Sequence, residues 1–288
     1  MDWFLLIGVA VCQLIVAVAQ KGYIKKVSNG GMSFSAMVIF FQIVFFAISS
    51  GGKLDFSNAA LLPYAAIFGI SFGVAVVGNF LAIQNGPLSL TTLFVNFSLL
   101  IPTVYGIIFY NEPIGLFLII GMVFLTVSII AVNLKQKGIQ EKKINYKWVI
   151  FTFLSFIGNG GCTTSQTAQQ RAFDGAYKSE LMILALSFAF VAVFIFAIFS
   201  EKKEIVSNIK IGLPHHLLYG LCNGLVNLFV MMLTGRNVLP VSVIFPTISA
   251  AGIIGASVLA VLIYKEKLTK LQMVGIGLGA VAAVFLNL

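Results

Sequence analysis

Uncharged hydrogen-bonding side chains set into apolar runs are the residues of this chain best placed to do chemistry. Gln13 and Gln20 interrupt the first run, and Asn159, Thr163, Thr164, Gln166, Gln169 and Gln170 interrupt the sixth. Amides and hydroxyls can hold a ligand by hydrogen bonds without the desolvation cost of an ion. The same groups can instead bond between helices as packing glue, and the sequence leaves both readings open. Asn79, Gln84, Asn96, Asn223 and Asn227 bring polarity to the third, fourth and eighth runs, and Arg236 ends the eighth. Arg236 and Arg171 can each grip a carboxylate or phosphate through paired hydrogen bonds, although snorkelling to an interface is the commoner role near a run's end, and Lys21 carries the same ambiguity. The expected substrate-binding set is Gln13, Gln20, Asn79, Asn96, Asn159, Thr163, Gln166, Asn223, Asn227 and Arg236.

Other chemistries find little support. HExxH, GxSxG and phosphate-loop patterns do not occur, so no catalytic residue, cofactor or metal is expected. Gly275-Ile-Gly277-Leu-Gly279 lies inside an apolar run, where close helix packing explains it better than a dinucleotide turn. Adjacent His215 and His216 point in different directions on a helix and read as an interfacial pair rather than a metal site. Cys12, Cys162 and Cys222 show neither a CxxC pair nor a disulfide spacing and read as packing residues. The acidic residues Asp2, Asp55, Glu112, Glu141, Asp174, Glu180, Glu201, Glu204 and Glu266 all map to run ends or links, which argues against a buried acid exchanging protons.

These side chains must be positioned by membrane helices. The 288 residues are 59% hydrophobic and 9% charged, against about 25% charged in soluble domains. Apolar runs fall at 3–24, 33–50, 61–83, 88–109, 114–134, 146–168, 179–199, 212–235, 239–263 and 268–288, near the roughly 20 residues a spanning helix needs. The start, Met1-Asp2-Trp3, runs directly into apolar sequence, so the first run is expected to stay as a helix. Pro102 and Pro246 are expected to interrupt helices four and nine. The abundant Phe residues, such as Phe40, Phe41, Phe45 and Phe46, read as lipid-facing or packing groups.

A lysine-rich link from Lys135 to Lys147 divides the chain, and the halves match. A shift of 150 places Ile7, Gly8, Cys12, Gln20 and Met32 on Ile157, Gly158, Cys162, Gln170 and Met182. A shift of 154 places Tyr110, Glu112, Gly121 and Asn133 on Tyr264, Glu266, Gly275 and Asn287. The expected architecture is therefore all-α, with ten transmembrane helices in two repeats, 1–140 and 141–288. An odd helix number per repeat inverts the second copy. Lysines gather in every second link, at Lys21, Lys25, Lys26, then the central link, then Lys202, Lys203, Lys210, then Lys265, Lys267, Lys270. Cytoplasmic loops collect such charge, so both termini are expected outside. The formal net charge of +9 is read this way and not as a nucleic-acid surface.

Tyr110-Asn-Glu112-Pro-Ile followed by Gly121, and Tyr264-Lys-Glu266-Lys-Leu followed by Gly275 and Asn287, resemble the drug/metabolite transporter superfamily in its ten-helix EamA-like branch. That resemblance implies an inverted-repeat bundle around a central cavity, lined by helices one, three, four, six, eight and nine, with alternating access by rocking of the halves. Two departures stand out. The small multidrug relatives carry a first-helix carboxylate that Trp3 to Ala19 lack, and many relatives keep both termini inside. The expectation is a plasma-membrane transporter of small organic metabolites or drugs, exporter or facilitator, whose partners are its substrate and the bilayer, as a monomer or a homodimer. A non-transporting scaffold or regulatory partner is the alternative.

Overall fold

The computed structural model describes residues 2–27, 30–133, 145–236, 238–262 and 269–288, and every regular element among them is helical. In chain order they are α1 (Asp2–Ile24), α2 (Gly31–Ser49), α3 (Leu61–Asn85), α4 (Leu88–Phe97), α5 (Leu100–Phe109), α6 (Leu116–Asn133), α7 (Tyr146–Ala172), α8 (Lys178–Glu201), α9 (Ile205–Gly235), α10 (Val241–Leu262) and α11 (Lys270–Phe285). Eight stretches, with α4 and α5 forming one of them, are long and apolar enough to cross a membrane. The second half of α7 is too polar to join that set, and α11 has only 16 residues. The central link from 135 to 144 and the turn Tyr264-Lys-Glu266-Lys lie outside the described residues.

The fold buries polar side chains within its apolar core and leaves large apolar ones on its outer surface. Ser33, Gln42, Thr167, Gln169, Gln170 and His216 are fully buried, while Phe4, Ile48, Phe199 and Val284 are exposed. Apolar side chains on that outer surface have only lipid to lie against, so this is a multi-pass membrane protein.

Proline acts differently in the three helices where the outcome is visible. Pro102 has no N–H for the Ser98 carbonyl, and the chain turns more tightly there. Ser98 N–H donates to Val95 O and Ile101 N–H to Ser98 O, each at 3.1 Å, separating α4 from α5 as expected. Pro246 does not interrupt α10, contrary to the sequence expectation. The eighth span also starts earlier than its expected 212, because α9 runs from Ile205 through Pro214 after a 3-10 turn at Lys202–Glu204. Fully buried Asn208 and Gly212 flank that first stretch and hold it in tertiary packing.

The helices pair across the bundle. α3 lies along α7 and α8, α9 lies along α1 and α2, α2 meets α8, α6 lies along α11, and α10 meets α5, α1 and α11. The main core gathers Phe46, Phe68, Leu181, Met182, Leu186 and Ala189. Cys12, Cys162 and Cys222 are buried free thiols, as the packing reading expected. At the α3–α7 crossing the two backbones touch: a Cβ on Gly158 would sit 2.5 Å from Ser71 O and 2.7 Å from Ala75 N. Beside it the Ser155 hydroxyl donates to Ala75 O at 3.1 Å.

Gly158→Ala is expected to cost about 1–3 kcal/mol by overpacking. Gly277→Ala adds a methyl where nothing lies within 4 Å and should be neutral or stabilise by about 0.5–1 kcal/mol. Melting temperatures of the detergent-purified variants check this, and equal values would refute the crossing.

Candidate functional site

A cavity of about 450 Å³ lies where α1 and α3 end and α2 begins, against the middle of α9. Gln20 and Tyr23 reach it from α1, Gln42 from α2, Asn79 and Gln84 from α3, and Tyr219 and Asn223 from α9. Phe34, Phe72, Val76 and Phe80 supply its apolar walls. Among the described residues its lining contains no Asp, Glu, Lys or Arg, so these offer amides, hydroxyls and ring faces without a fixed charge. Lys21 and Lys25 mark this as the lysine-rich end.

From the cavity a ladder of amides leads inward. Gln42 Oε1 accepts from Asn223 Nδ2 at 3.3 Å and Asn227 Nδ2 at 3.5 Å, and Gln166 Nε2 donates to Asn227 Oδ1 at 3.4 Å. These long bonds join α2, α9 and α7 through neutral groups. Two buried carboxylates frame the path. At the lysine-rich end, Glu201 Oε1 accepts the Met32 and Ser33 N–H groups at 2.7 and 3.0 Å and so caps α2. Its Oε2 accepts from Asn208 Nδ2 at 3.3 Å, and Tyr23 donates its hydroxyl to Gly30 O at 2.8 Å.

At the opposite end a second carboxylate pins the helices together. Glu112 Oε1 accepts from Val241 N–H at 2.7 Å and Oε2 from Ser242 N–H at 2.8 Å, capping α10 across the bundle. Arg171 lies 3.9 Å from that carboxylate, sits over the Tyr110 ring at 5.2 Å and donates to Leu239 O at 3.4 Å. Asn111 turns through a left-handed conformation (φ 52°) and brings Glu112 to this position. Burial pushes the Tyr110 phenol up, with Tyr105 adding to the effect, and keeps it neutral beside the guanidinium.

The expected site residues therefore fall in different places. Gln20, Asn79 and Asn223 line the cavity, and Asn227 and Gln166 form the ladder behind it. Gln13 faces Gly252 of α10, Asn159 donates to the Ser98 hydroxyl at the α4–α5 break, and Thr163 donates to the Asn159 carbonyl of its own helix at 2.9 Å. Asn96 is half-buried on α4, and Arg236 follows the end of α9. Gln169 and Gln170 both donate to Ala176 O, tying the α7–α8 turn. Two expectations need correction. His216 is fully buried among aromatic rings and is not interfacial. The acids do sit at helix ends, yet Glu180 and Glu201 are buried there because each folds back onto backbone N–H donors of another segment. Gln42 was missed; a lone amide within Phe40-Phe41-Gln42-Ile43 was the available signal.

Fold and site together define a helical membrane protein with a neutral polar cavity at one end and a carboxylate pinned to α10 at the other. Residues 146–288 match the EamA-like transporter family. Over that half the chain belongs to this family, within the drug/metabolite transporter superfamily, a family of membrane transporters. A solved crystal structure with a TM-score of 0.75 aligns over 99% of this chain and 95% of its own at 11% identity, a likeness of fold. No curated protein matches the sequence.

Replacing Glu112 or Glu201 by Gln removes a charged cap from buried N–H donors and is expected to cost about 1–3 kcal/mol each. Exposed Glu204→Gln should cost nothing measurable. Thermal unfolding of the three variants tests this, and indistinguishable melting points would refute the caps.

Proposed function

We propose that the protein is a secondary transporter of small organic metabolites that works by alternating access between two inverted five-helix repeats, 1–140 and 141–288. The observation that carries this reading is the contrast between its two ends: an amide-lined cavity at one, Glu112 pinned to α10 beside Arg171 at the other. The pairing of helices supports inverted repeats. Exchanging α1 with α7, α2 with α8 and α3 with α9 turns the α3–α7 contact into α9–α1, and the α3–α8 contact into α9–α2. Contacts α2–α8, α6–α11 and α5–α10 map onto themselves. Rocking of the halves would open the far end past Gln13, Asn96, Asn159, Thr163 and Arg236.

The uncharged lining favours a neutral or zwitterionic substrate that offers both hydrogen-bonding groups and an apolar face. A permanently charged substrate would lose hydration there without meeting a countercharge. Positive-inside bias favours the cavity end as cytoplasmic, both termini outside, in the plasma membrane, with export or facilitated flux. Nothing in the reading requires more than one copy, and a homodimer is compatible with it.

Purified protein screened by thermal shift against amino acids, nucleosides, sugar phosphates, organic anions and cationic drugs is expected to respond to a neutral or zwitterionic class. For the responding compound, Asn79→Leu and Asn223→Leu should each weaken affinity about 5- to 10-fold, the value of one hydrogen bond. Unchanged affinity in both variants would overturn the cavity assignment. The absence of any shift in folded protein would turn attention to the scaffold alternative.

A further inference from the structure

α9 carries a stripe of polar and small residues at a spacing of three to four: Asn208, Gly212, His216, Gly220, Asn223 and Asn227. The stripe starts on Glu201, which accepts from Asn208, and ends on Gln42, which accepts from Asn223 and Asn227. Between those ends stands His216, at 0% exposure. Its ring lies 5.1 Å from that of Tyr23 and 5.2 Å from that of Phe34, two residues that also line the cavity. Neither of its ring nitrogens has a hydrogen-bond partner among the described residues.

A buried imidazole without partners forfeits the bonds it makes in water, and Phe would fill the same space at no such cost. The chemistry that distinguishes His from Phe is reversible proton binding near neutral pH. The surroundings can take the resulting charge. The Tyr23 and Phe34 rings pack against it, and the Glu201 carboxylate, held by Asn208 about two turns earlier on α9, is the acid on the same stripe. The titratable and charged groups around it are Tyr23 from α1, Tyr219 and His215 from α9 itself, Glu201 from α8, and Lys26 near His215. From α2 the Phe34 ring lies against it.

We propose that His216 is a proton-binding site that couples passage of substrate through the cavity to movement of a proton. A proton from water at the lysine-rich end reaches the ring past Glu201 and Asn208, adds to the free nitrogen lone pair and leaves the same atom when the cavity changes sides. No other bond forms or breaks. Protonation places a cation directly behind the cavity wall, against Tyr23 and Phe34, and substrate and proton thereby influence each other's binding by the same factor. This rests on the transporter reading of the same cavity.

Two measurements test it. The chain has two histidines, so H215Q protein labelled with 15N-histidine and placed in nanodiscs gives one imidazole signal. That signal is expected to titrate reversibly as the pH is lowered from about 8 to about 4; a ring that stays neutral on one tautomer throughout overturns the proposal, and this arm needs no substrate. In proteoliposomes holding a pH dye, a neutral amino acid or nucleoside that the wild type moves should change the internal pH. H216Q is expected to abolish the pH change while exchange of the radiolabelled compound persists. H216F, which keeps the ring volume, replaces H216Q if that variant does not fold. Retained pH coupling in a folded His216 variant overturns the proposal, as does wild-type flux without a pH change. Failure of the wild type to move any compound refutes the transporter reading instead, and the titration then decides the proton site alone.

Discussion

Helix ends inside a membrane protein leave N–H donors that water cannot reach, and the packing of this bundle depends on how those donors are satisfied. α2 and α10 both start against a glutamate from a distant part of the chain, Glu201 and Glu112 respectively. A neutral cap would satisfy the same groups locally. A carboxylate brought from another helix also fixes where the two elements lie relative to each other, because moving either exposes a charge and two donors at once. The caps sit at opposite ends of the bundle, and the contacts that lead inward from the Glu201 end, through Gln42, Asn223, Asn227 and Gln166, are made by neutral amides.

That arrangement makes the molecule rigid where its helices cross and adaptable along its amide contacts. α3 and α7 meet through Gly158 and Ser155 with the backbones in contact, which leaves no slack at the crossing. The Gln42, Asn223, Asn227 and Gln166 amides touch at 3.3 to 3.5 Å, longer than well-formed bonds, so they can exchange partners at small cost. An amide can rotate and present either donor or acceptor, whereas an ion pair would hold one geometry.

Much of the bundle is legible in the chain because lipid imposes one simple demand, a long apolar helix with its polar groups turned inward. Gln20, Asn79 and Asn223 could be picked out as amides in apolar runs and do face one cavity. Gln42 satisfies the same criterion but was submerged in a phenylalanine-rich segment. Burial of Glu112 and Glu201 was not legible, since a position at a helix end does not tell whether the link turns to water or back onto another helix. The start of α9 was placed too late because Pro214 resembles a helix boundary, and only the packing of Asn208 and Gly212 carries the helix past it. His216 went unread for a related reason: an adjacent pair gives no information on which member turns inward.

The three thiols, Cys12, Cys162 and Cys222, stand on α1, α7 and α9, the helices that border the path from one end of the bundle to the other. All are shielded in this conformation, so an alkylating reagent added to the native chain can react only through excursions that uncover them. Their slow modification is therefore a clock already present in the wild-type protein: it records how often each wall of the path breathes, without a spectroscopic label or an engineered residue.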